Sequence, residues 1–318
     1  MQAPKKIEDF AGQRILSMDT RAEKMLRVCV ACGSSNADKL GVKNELEIVS
    51  CRNCHSIYTP YSPWYSSSYF YLGYYLKPEE TDTPPFVKQR LREITAEFAP
   101  YRQTNRLLDL GCGAGDLLAA ASKHSWNPQG LDVSSHAARH VRDLGFEVFE
   151  GELQAAEFPS AYFDVITATE LLEHIFEPKL LVQEVARILR PGGLFWLTTP
   201  HARGISARLL GLKWRCIWPP EHLQLFSVAG LKLLLRDNGF RSIRVDTTGG
   251  NPVEIWHAMG QTKTAPKTVD QHFDRVLSSY QLNESLMKSR SRRAFKSTVN
   301  SFLNLSRLGD SMKVFAVR

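Results

Sequence analysis

The chain has 318 residues, and its 43% hydrophobic and 23% charged content is that of an ordinary globular protein. No apolar run approaches the roughly 18 residues that a membrane-spanning helix needs, and the first residues are too polar for a secretory signal. The net charge of +7 permits an anionic partner but requires none, and six cysteines without a signal favour metal binding or free thiols over disulfides. We therefore expect a cytoplasmic protein.

Two Cys-x-x-Cys pairs near the N-terminus are the first strong motif. Their members are Cys29, Cys32, Cys51 and Cys54. Each pair can form a knuckle that directs two thiolates at one ion, and two pairs separated by about 18 residues are typical of a zinc ribbon. The four thiolates already complete a tetrahedral shell, so His55 is a spare ligand candidate. We predict a structural zinc in a module over residues 28–60.

The segments on either side of this module lack a regular pattern. Residues 1–27 are charged and poor in large apolar side chains, which indicates a loosely ordered, solvated arm. Residues 61–82 form an aromatic linker in which serine and proline interrupt any helix. Such a segment can pack one domain onto another, line a substrate pocket, or stack on bases or sugars. Packing is the simplest of these uses.

A helical pattern over residues 86–98 precedes a glycine-rich motif. The apolar run 106–110 ends in a turn with glycines at alternate positions, and another helical pattern begins at Leu117. The glycines are Gly111, Gly113 and Gly115. A strand, tight turn and helix in this order hold a nucleotide-like ligand at the helix N-terminus, and side chains at the glycine positions would keep the backbone from closing on it. Asp109, at the strand end, can order the turn or meet a cationic ligand.

Acidic residues follow the next predicted strands. Asp132 ends the strand after the glycine turn, where a carboxylate can accept hydrogen bonds from ribose hydroxyls; the alternative is that it caps the next helix with Ser134. Glu152 follows the third strand and Glu170 the fourth. Because strands that alternate with helices form a parallel, doubly wound sheet, these strand ends and the glycine turn should converge on one ligand.

The remaining segments complete the sheet. A fifth strand is predicted over residues 194–199, a sixth over 241–246, and a last strand over 312–317 that returns antiparallel at the sheet edge. The stretch 251–310 breaks this alternation and indicates a helical insertion. Within it, residues 288–303 form a basic amphipathic helix, which either packs on its own domain, the more common outcome, or contacts a membrane surface.

Together these motifs resemble the class I S-adenosylmethionine-dependent methyltransferases over roughly residues 100–250. The resemblance is carried by the glycine motif, the acid at Asp132, the strand 163–166, the Leu172-Glu173-His174 element and the Arg190-Pro191-Gly192-Gly193 turn. It implies a Rossmann-like, doubly wound α/β fold with a seven-stranded sheet and a final antiparallel hairpin. The methyltransferase domain would cover residues 83–318, with the helical insertion at about 251–310.

The resemblance also implies S-adenosylmethionine as the cofactor. Asp109 and the three glycines would hold its amino-acid end, Asp132 would hold its ribose, and Glu152 would lie near its adenine. Glu170 is a further candidate at the same edge. A nicotinamide-binding domain fits less well, because its glycines normally run Gly-x-Gly-x-x-Gly and Gly115 comes one position early.

A narrower resemblance, carried by the cysteine pairs, the aromatic linker and Glu221-His222, is to sugar methyltransferases of antibiotic and surface-glycan pathways. It implies a small-molecule acceptor, such as a sugar nucleotide or glycan precursor. Methylation of a hydroxyl is favoured, because the long carboxy-terminal half of the sugar C-methyltransferases is absent. One alternative is a zinc-ribbon RNA methyltransferase, although Thr169-Glu170-Leu171 replaces the Asn/Asp-Pro-Pro-aromatic loop of amino methylation. Another is a non-catalytic zinc-ribbon scaffold.

An alcohol acceptor must lose a proton, and an imidazole with a pKa near ~6.5 can accept it at neutral pH. We predict His222 as this base, with the neighbouring carboxylate of Glu221 orienting the ring. His174, which also follows a strand, and His201 are the rival bases. The simpler alternative is that Glu221 and His222 cap or hydrogen-bond the helix that follows.

Overall fold

The computed structural model describes residues 25–62, 83–252, 254–256 and 289–318. Three predicted segments lie wholly or mainly outside these residues: the arm over 1–27, the aromatic linker over 61–82, and the part of the helical insertion over 257–288. The structure does describe the cysteine pairs, the glycine turn and Glu221-His222.

The first described residues form a small module around the cysteine pairs. Its strands are β1 (Met25–Leu26), β2 (Ala37–Lys43), β3 (Leu46–Cys51), β4 (Ile57–Tyr58) and β5 (Tyr61–Ser62). β2 and β3 form an antiparallel hairpin, and β4 pairs with the other side of β3. β1 and β5 pair antiparallel as a separate ribbon, so the two ends of the module come together.

The rest of the chain alternates helices with strands. In order they are α1 (Pro85–Ala96), β6 (Arg106–Leu110), α2 (Asp116–Ser122), β7 (Asn127–Asp132), α3 (Ser135–Asp143), β8 (Glu147–Glu150), β9 (Phe163–Thr169), α4 (Pro178–Ile188), β10 (Leu189–Pro200), α5 (Ile205–Leu210), β11 (Gln224–Leu225), α6 (Val228–Asp237), β12 (Ser242–Thr248), α7 (Arg290–Ser306) and β13 (Ser311–Val317). Short 3-10 turns lie at 99–101, 153–156 and 211–213.

Local signals in the sequence set where several helices begin. Ser134 and Ser227 cap α3 and α6, because each hydroxyl accepts a hydrogen bond from the backbone amide three residues further on. Pro178 is the first residue of α4, where the fixed φ of proline suits a helix. Two serine caps and a proline in the first turn thus set where these three helices begin.

Seven strands form one central sheet in the order β12-β13-β10-β9-β6-β7-β8. β10, β9, β6, β7 and β8 are parallel, so their carboxyl ends share one edge, and the order of strands switches direction between β6 and β9. β13 runs antiparallel to its neighbours, as predicted. Its predicted place at the sheet edge is wrong, since it inserts between β10 and β12. Side chains on both of its faces are buried, which suits an interior strand.

The central sheet is covered on both faces. Side chains of α4 and α6 pack against one face, which includes Leu108 and Ile166. Side chains of α1 and α2 pack against the other, which includes Leu107 and Val165. Successive residues of a strand point to opposite faces, so the near-continuous apolar runs in the sequence correspond to strands that are buried on both sides.

The cysteine module shares a sheet and a buried core with the rest of the chain. β11 pairs antiparallel with β4, so the module's four-stranded sheet runs β11-β4-β3-β2. Cys29 and Cys54 lie in the same buried cluster as Phe226 and Leu231. The module is therefore packed on the segment that follows His222 and on α6.

The basic helix α7 packs on its own domain along one edge. Leu303 is buried, and the side-chain oxygen of Asn304 accepts a hydrogen bond of 2.9 Å from the Thr247 amide at the end of β12. Phe295 and Phe302 are each 65% exposed on the described surface. Among the residues that the structure describes, no helix has the length and apolar character needed to cross a membrane.

Candidate functional site

The glycine turn after β6 adopts a conformation that suits glycine. Gly111, Gly113 and Gly115 have φ values of 68°, 51° and 79°, all in the left-handed region. The amides of Gly111 and Cys112 both donate to the Leu131 carbonyl oxygen, at 2.8 and 3.1 Å, which ties the turn to the end of β7. A Cβ at Gly111 would lie 3.2 Å from a methyl group of Leu171, so the loop after β9 approaches the turn closely.

Asp132 links the glycine turn to the start of α3. Its carboxylate accepts hydrogen bonds from the backbone amides of Gly113, at 3.0 Å, and Ser134, at 2.9 Å. The hydroxyl of Ser134 itself caps α3. Burial raises the pKa of Asp132, while the hydrogen bonds from backbone amides oppose that shift. The side chain thus holds the turn in place, and helix capping is left to Ser134.

Asp109 is the second buried carboxyl beside this turn. It is 4% exposed and accepts a hydrogen bond of 2.7 Å from the Thr167 hydroxyl, across the point where β6 meets β9. Burial raises its pKa to about 7, the Thr167 hydrogen bond lowers it, and the charge of Asp132 adds to the rise. Two buried carboxyl groups lie beside this turn, and the charge of Asp132 helps to raise the pKa of Asp109, so the pair suits a ligand that carries positive charge.

Glu152 and Glu170 lie at the same carboxyl edge of the sheet. Glu152 is exposed and begins the 3-10 turn after β8, and the amide of the preceding Gly151 donates to the Asp132 carbonyl oxygen at 2.9 Å. Glu170 is exposed after β9, with a φ of 47°. The structure therefore places all of the predicted cofactor residues along one edge, with Asp109, Asp132 and the glycine turn grouped most closely.

Two of the three predicted histidines, His174 and His222, meet in a second cluster at this edge. The rings of His174 and His222 have centroids 4.7 Å apart, and ligand atoms of Glu173, His174 and His222 all lie within 4.8 Å of one another. Nδ1 of His174 is 2.9 Å from the Glu221 carbonyl oxygen, and Nδ1 of His222 is 2.7 Å from that of Cys216. A carbonyl only accepts, so Nδ1 of each ring carries a proton, and in the neutral ring Nε2 is the unprotonated nitrogen.

Sequence reasoning predicts that the Glu221 carboxylate orients His222, and that role stays a prediction; the contacts of the two Nδ1 atoms are to main-chain carbonyls. The backbone carbonyl of Glu221 holds His174, and the Cys216 carbonyl holds His222. The rival base His201 lies elsewhere, buried against the Gly309 carbonyl oxygen at 3.0 Å, and burial lowers its pKa to about 4. Its contact ties β10 to the loop before β13.

Glu173 is a site residue that sequence reasoning did not select, although it stands within the Leu172-Glu173-His174 element. Its side chain is fully buried, and one oxygen accepts a hydrogen bond of 2.9 Å from the Thr199 hydroxyl. Burial and the nearby Glu170 raise its pKa well above the ordinary value, which favours the protonated carboxyl. With two imidazole rings beside this carboxyl group, the cluster has the residue types that can accept a proton or hold a divalent cation.

The four cysteines of the module converge as their spacing predicts. Sγ of Cys29 is 3.5 Å from that of Cys54, Sγ of Cys32 is 3.5 Å from that of Cys51, and all four lie within 4.8 Å of one another as free thiols. Zinc–sulfur bonds of ~2.3 Å in a tetrahedron separate sulfurs by about 3.8 Å, so the residues fit this ion. His55 takes the turn position that Gly33 takes in the first knuckle, with φ of 60° and 71°, and lies outside the cluster.

Comparison with known proteins gives the family of this chain. A family described as "Methyltransferase domain" matches residues 85–245. The ubiquinone biosynthesis O-methyltransferase of Ralstonia nicotianae is 35% identical over 159 residues, which cover 42% of this chain and 66% of that protein. The 27-O-demethylrifamycin SV methyltransferase of Amycolatopsis mediterranei is 30% identical over 142 residues, covering 41% and 52%. The match thus spans less than two thirds of either relative.

A solved structure shows a similar fold. The [4+2]-cyclase SpnF superposes with a TM-score of 0.50 at 18% identity, over 77% of this chain and 85% of that one. Because the identity is low, this similarity describes the fold and not the reaction.

Proposed function

This chain belongs to the methyltransferase-domain family, and we propose that it moves the methyl group of S-adenosylmethionine to a hydroxyl of a small-molecule acceptor, a sugar, glycan precursor or related metabolite. The names of the two relatives refer to small molecules, ubiquinone and a rifamycin, which supports that class of acceptor. The observation that carries the proposal is a buried pair of carboxyl groups at the glycine turn, beside a loop whose Glu173 and His174 form a cluster with His222.

In this proposal the glycine turn and its carboxyl groups hold the cofactor. Asp109 would face the ammonium group of the amino-acid end, Asp132 the ribose, and Glu152 the adenine, with Glu170 at the rim. The bound cofactor supplies an electrophilic methyl group on a sulfonium. Methyl transfer from it is an in-line displacement, so the main task of the protein is to orient the acceptor and exclude water.

The histidine cluster would serve the acceptor side of the same site. Leu171, which approaches Gly111, is separated from His174 by only two residues, so one loop connects the cofactor turn with the cluster. With Nδ1 donating to the Cys216 carbonyl oxygen, Nε2 of His222 would be the nitrogen that takes the proton of the acceptor hydroxyl. The four cysteines would hold one structural zinc, because four protein ligands leave no position open for water.

A methyl-transfer assay tests the proposal. Protein and tritiated-methyl S-adenosylmethionine are incubated separately with small-molecule, sugar-nucleotide and RNA pools, and label is counted in each. We expect label in the small-molecule or sugar-nucleotide pool. Label confined to RNA would support the zinc-ribbon RNA methyltransferase instead, and a protein that binds no cofactor would be a scaffold.

Asp132→Ala should weaken binding of S-adenosylmethionine roughly ten- to a hundredfold, the scale of one or two hydrogen bonds to a charged group. The variant loses the ribose partner and also the acceptor of the Gly113 amide. Calorimetry measures the affinity. Ser134→Ala is the matched control, since it removes the cap of α3 at a cost of about 1 kcal/mol but leaves the carboxylate. Unchanged affinity in Asp132→Ala would show that Asp132 does not bind the ribose.

Cofactor affinity should fall as the pH is lowered below about 7. In the free protein Asp109 has a pKa of about 7, whereas an ammonium group beside it favours the carboxylate, so binding releases a proton. The dependence should approach tenfold per pH unit between about pH 7 and pH 5.5, measured by calorimetry with S-adenosylhomocysteine. Asp109→Asn should bind more weakly and with a flatter pH profile. An identical profile in that variant would assign the proton to another group.

A further inference from the structure

The loop between β9 and α4 carries Glu173 and His174, and groups from outside the loop hold its backbone. The amide of Leu223, next to His222, donates to the Glu173 carbonyl oxygen at 2.9 Å. The Gln224 amide approaches the same oxygen at 3.4 Å. The strand after His222 is therefore bound to the loop that carries His174, so the positions of the two histidines depend on each other.

Gln224 holds two further carbonyl groups of this loop. Its side chain is 1% exposed, and its Nε2 donates to the Leu172 and Ile175 carbonyl oxygens, each at 2.7 Å. Both protons of the amide group are used by these two bonds, one on either side of Glu173 and His174. The side-chain orientation of Gln224 thus fixes the conformation of the loop at Glu173 and His174.

Arg27, two residues before the first cysteine, fixes that orientation. Nη2 donates to Oε1 of Gln224 and to the Phe176 carbonyl oxygen, both at 2.8 Å, and Nη1 lies 3.4 Å from the Thr59 hydroxyl. The guanidinium also stacks over the Phe176 ring, 4.6 Å from its centroid. Arg27 is only 8% exposed, and its own amide donates to the Pro60 carbonyl oxygen, so the cysteine module sets its place.

We propose that Arg27 and Gln224 are positioning residues through which the cysteine module sets the geometry of the Glu173–His174–His222 cluster. The assignment rests on the proposed function, because it takes that cluster as the acceptor side of the methyltransferase site. The planar fork of arginine can bind an amide oxygen and a carbonyl oxygen while stacking on an aromatic ring, which a lysine ammonium cannot reproduce. In this way the cysteine module holds the residues of the acceptor site in position.

The test compares Arg27→Ala, Arg27→Lys and Gln224→Glu with the matched control Arg52→Ala, whose arginine pairs with Asp38 on the exposed surface of the same module. Gln224→Glu keeps an oxygen that accepts from Arg27, but its second oxygen cannot donate to the Leu172 and Ile175 carbonyls. This variant therefore tests the contact between Gln224 and the loop separately from the contact between Arg27 and Gln224. Each protein is studied at full length with S-adenosylhomocysteine as the only ligand.

Three measurements are made. Hydrogen exchange follows the amides of His174, Leu223 and Gln224, whose acceptors lie in the loop. Carbon–proton NMR follows the imidazole signals of His174 and His222, assigned with His174→Gln and His222→Gln. Calorimetry measures affinity for S-adenosylhomocysteine.

Arg27→Ala and Gln224→Glu should speed exchange at these three amides by about tenfold or more, the scale of one lost hydrogen bond to a charged or buried group, and should shift both histidine signals. Affinity for S-adenosylhomocysteine should stay within about threefold, because the glycine turn keeps its own contacts. Arg27→Lys should restore part of the exchange protection, and Arg52→Ala should match the wild type.

Exchange that rises evenly over the whole protein, or histidine signals that do not move, would overturn the positioning role. None of these readouts uses a methyl acceptor. A failed methyl-transfer assay would therefore count against the proposed function alone, and failure here would count against the positioning role whichever acceptor is found.

Discussion

Replacing Cys51 with serine should remove zinc from the protein and unfold the cysteine module. A structural zinc in a small module contributes about 10–16 kcal/mol of apparent binding energy at neutral pH, and a segment of fewer than about 40 residues buries too little apolar surface to fold without such help. Metal analysis should find about one zinc per chain in the wild type and none in the variant.

The loss should extend beyond the module, because the start of α6 packs on its second knuckle. The hydroxyl of Ser227 donates to the Cys54 carbonyl oxygen, and a Cβ at Gly230 would lie 3.1 Å from the Cys54 sulfur. We therefore expect a large fall in thermal stability together with increased hydrogen exchange in β11 and α6.

Cys216→Ser is the matched control for the zinc experiment. Cys216 is buried to the same degree but lies outside the sulfur cluster, so this variant should keep its zinc. The structural role of zinc would be contradicted if the wild type held no metal, if Cys51→Ser kept it, or if alkylation reached all four cluster cysteines of the native protein.

Features that depend on neighbouring residues could be predicted from the sequence. The glycine turn requires left-handed φ values at Gly111, Gly113 and Gly115, and only glycine adopts them readily, so its pattern is visible in the chain. Each cysteine knuckle is likewise a local turn, closed by a hydrogen bond from the amide of Gly33 or His55 to the first cysteine of its pair. Ser134 and Ser227 mark helix starts for the same local reason.

Features that depend on residues far apart in the chain could not be predicted in this way. Arg27 belongs by composition to a charged arm, yet it is buried, because its partners come from Thr59, Phe176 and Gln224. β11 has two residues and no periodicity to detect, and it exists because β4 offers a free edge. The pattern of apolar and polar residues indicates which residues are buried, but it does not indicate which distant residues they contact.

The same limit explains the start of β10. The sequence predicts that this strand begins at Leu194, after the Arg190-Pro191-Gly192-Gly193 turn. In the structure β10 already pairs with β9 at Leu189, and its register shifts before Leu194. Nε of Arg190 donates to the buried Asp164 carboxylate at 2.6 Å, which fixes the irregular stretch against β9. Periodicity carries no signal for this long-range ion pair.

Replacing His222 with alanine should lower the turnover of methyl transfer by a factor on the order of a hundred to ten thousand, the contribution of a positioned general base. Affinity for the cofactor should change little, because the ring contacts the Cys216 carbonyl and His174, and the glycine turn keeps its own contacts with Asp132 and Leu131. The measurement is the rate in the tritiated-methyl assay at saturating cofactor, alongside calorimetry of cofactor binding.

His222→Asn separates the base from a purely structural role. An asparagine amide can still donate to the Cys216 carbonyl oxygen in place of Nδ1, but it has no counterpart of the Nε2 lone pair. If His222 is the base, the asparagine variant should be as slow as the alanine variant while unfolding at the temperature of the wild type. His136→Ala, which removes an exposed histidine on α3, should keep full turnover.

If asparagine restores turnover, or if His222→Ala turns over within a few fold of the wild type, the role of His222 is structural. His174, whose Nδ1 is held in the same way by the Glu221 carbonyl, would then be the next base to test.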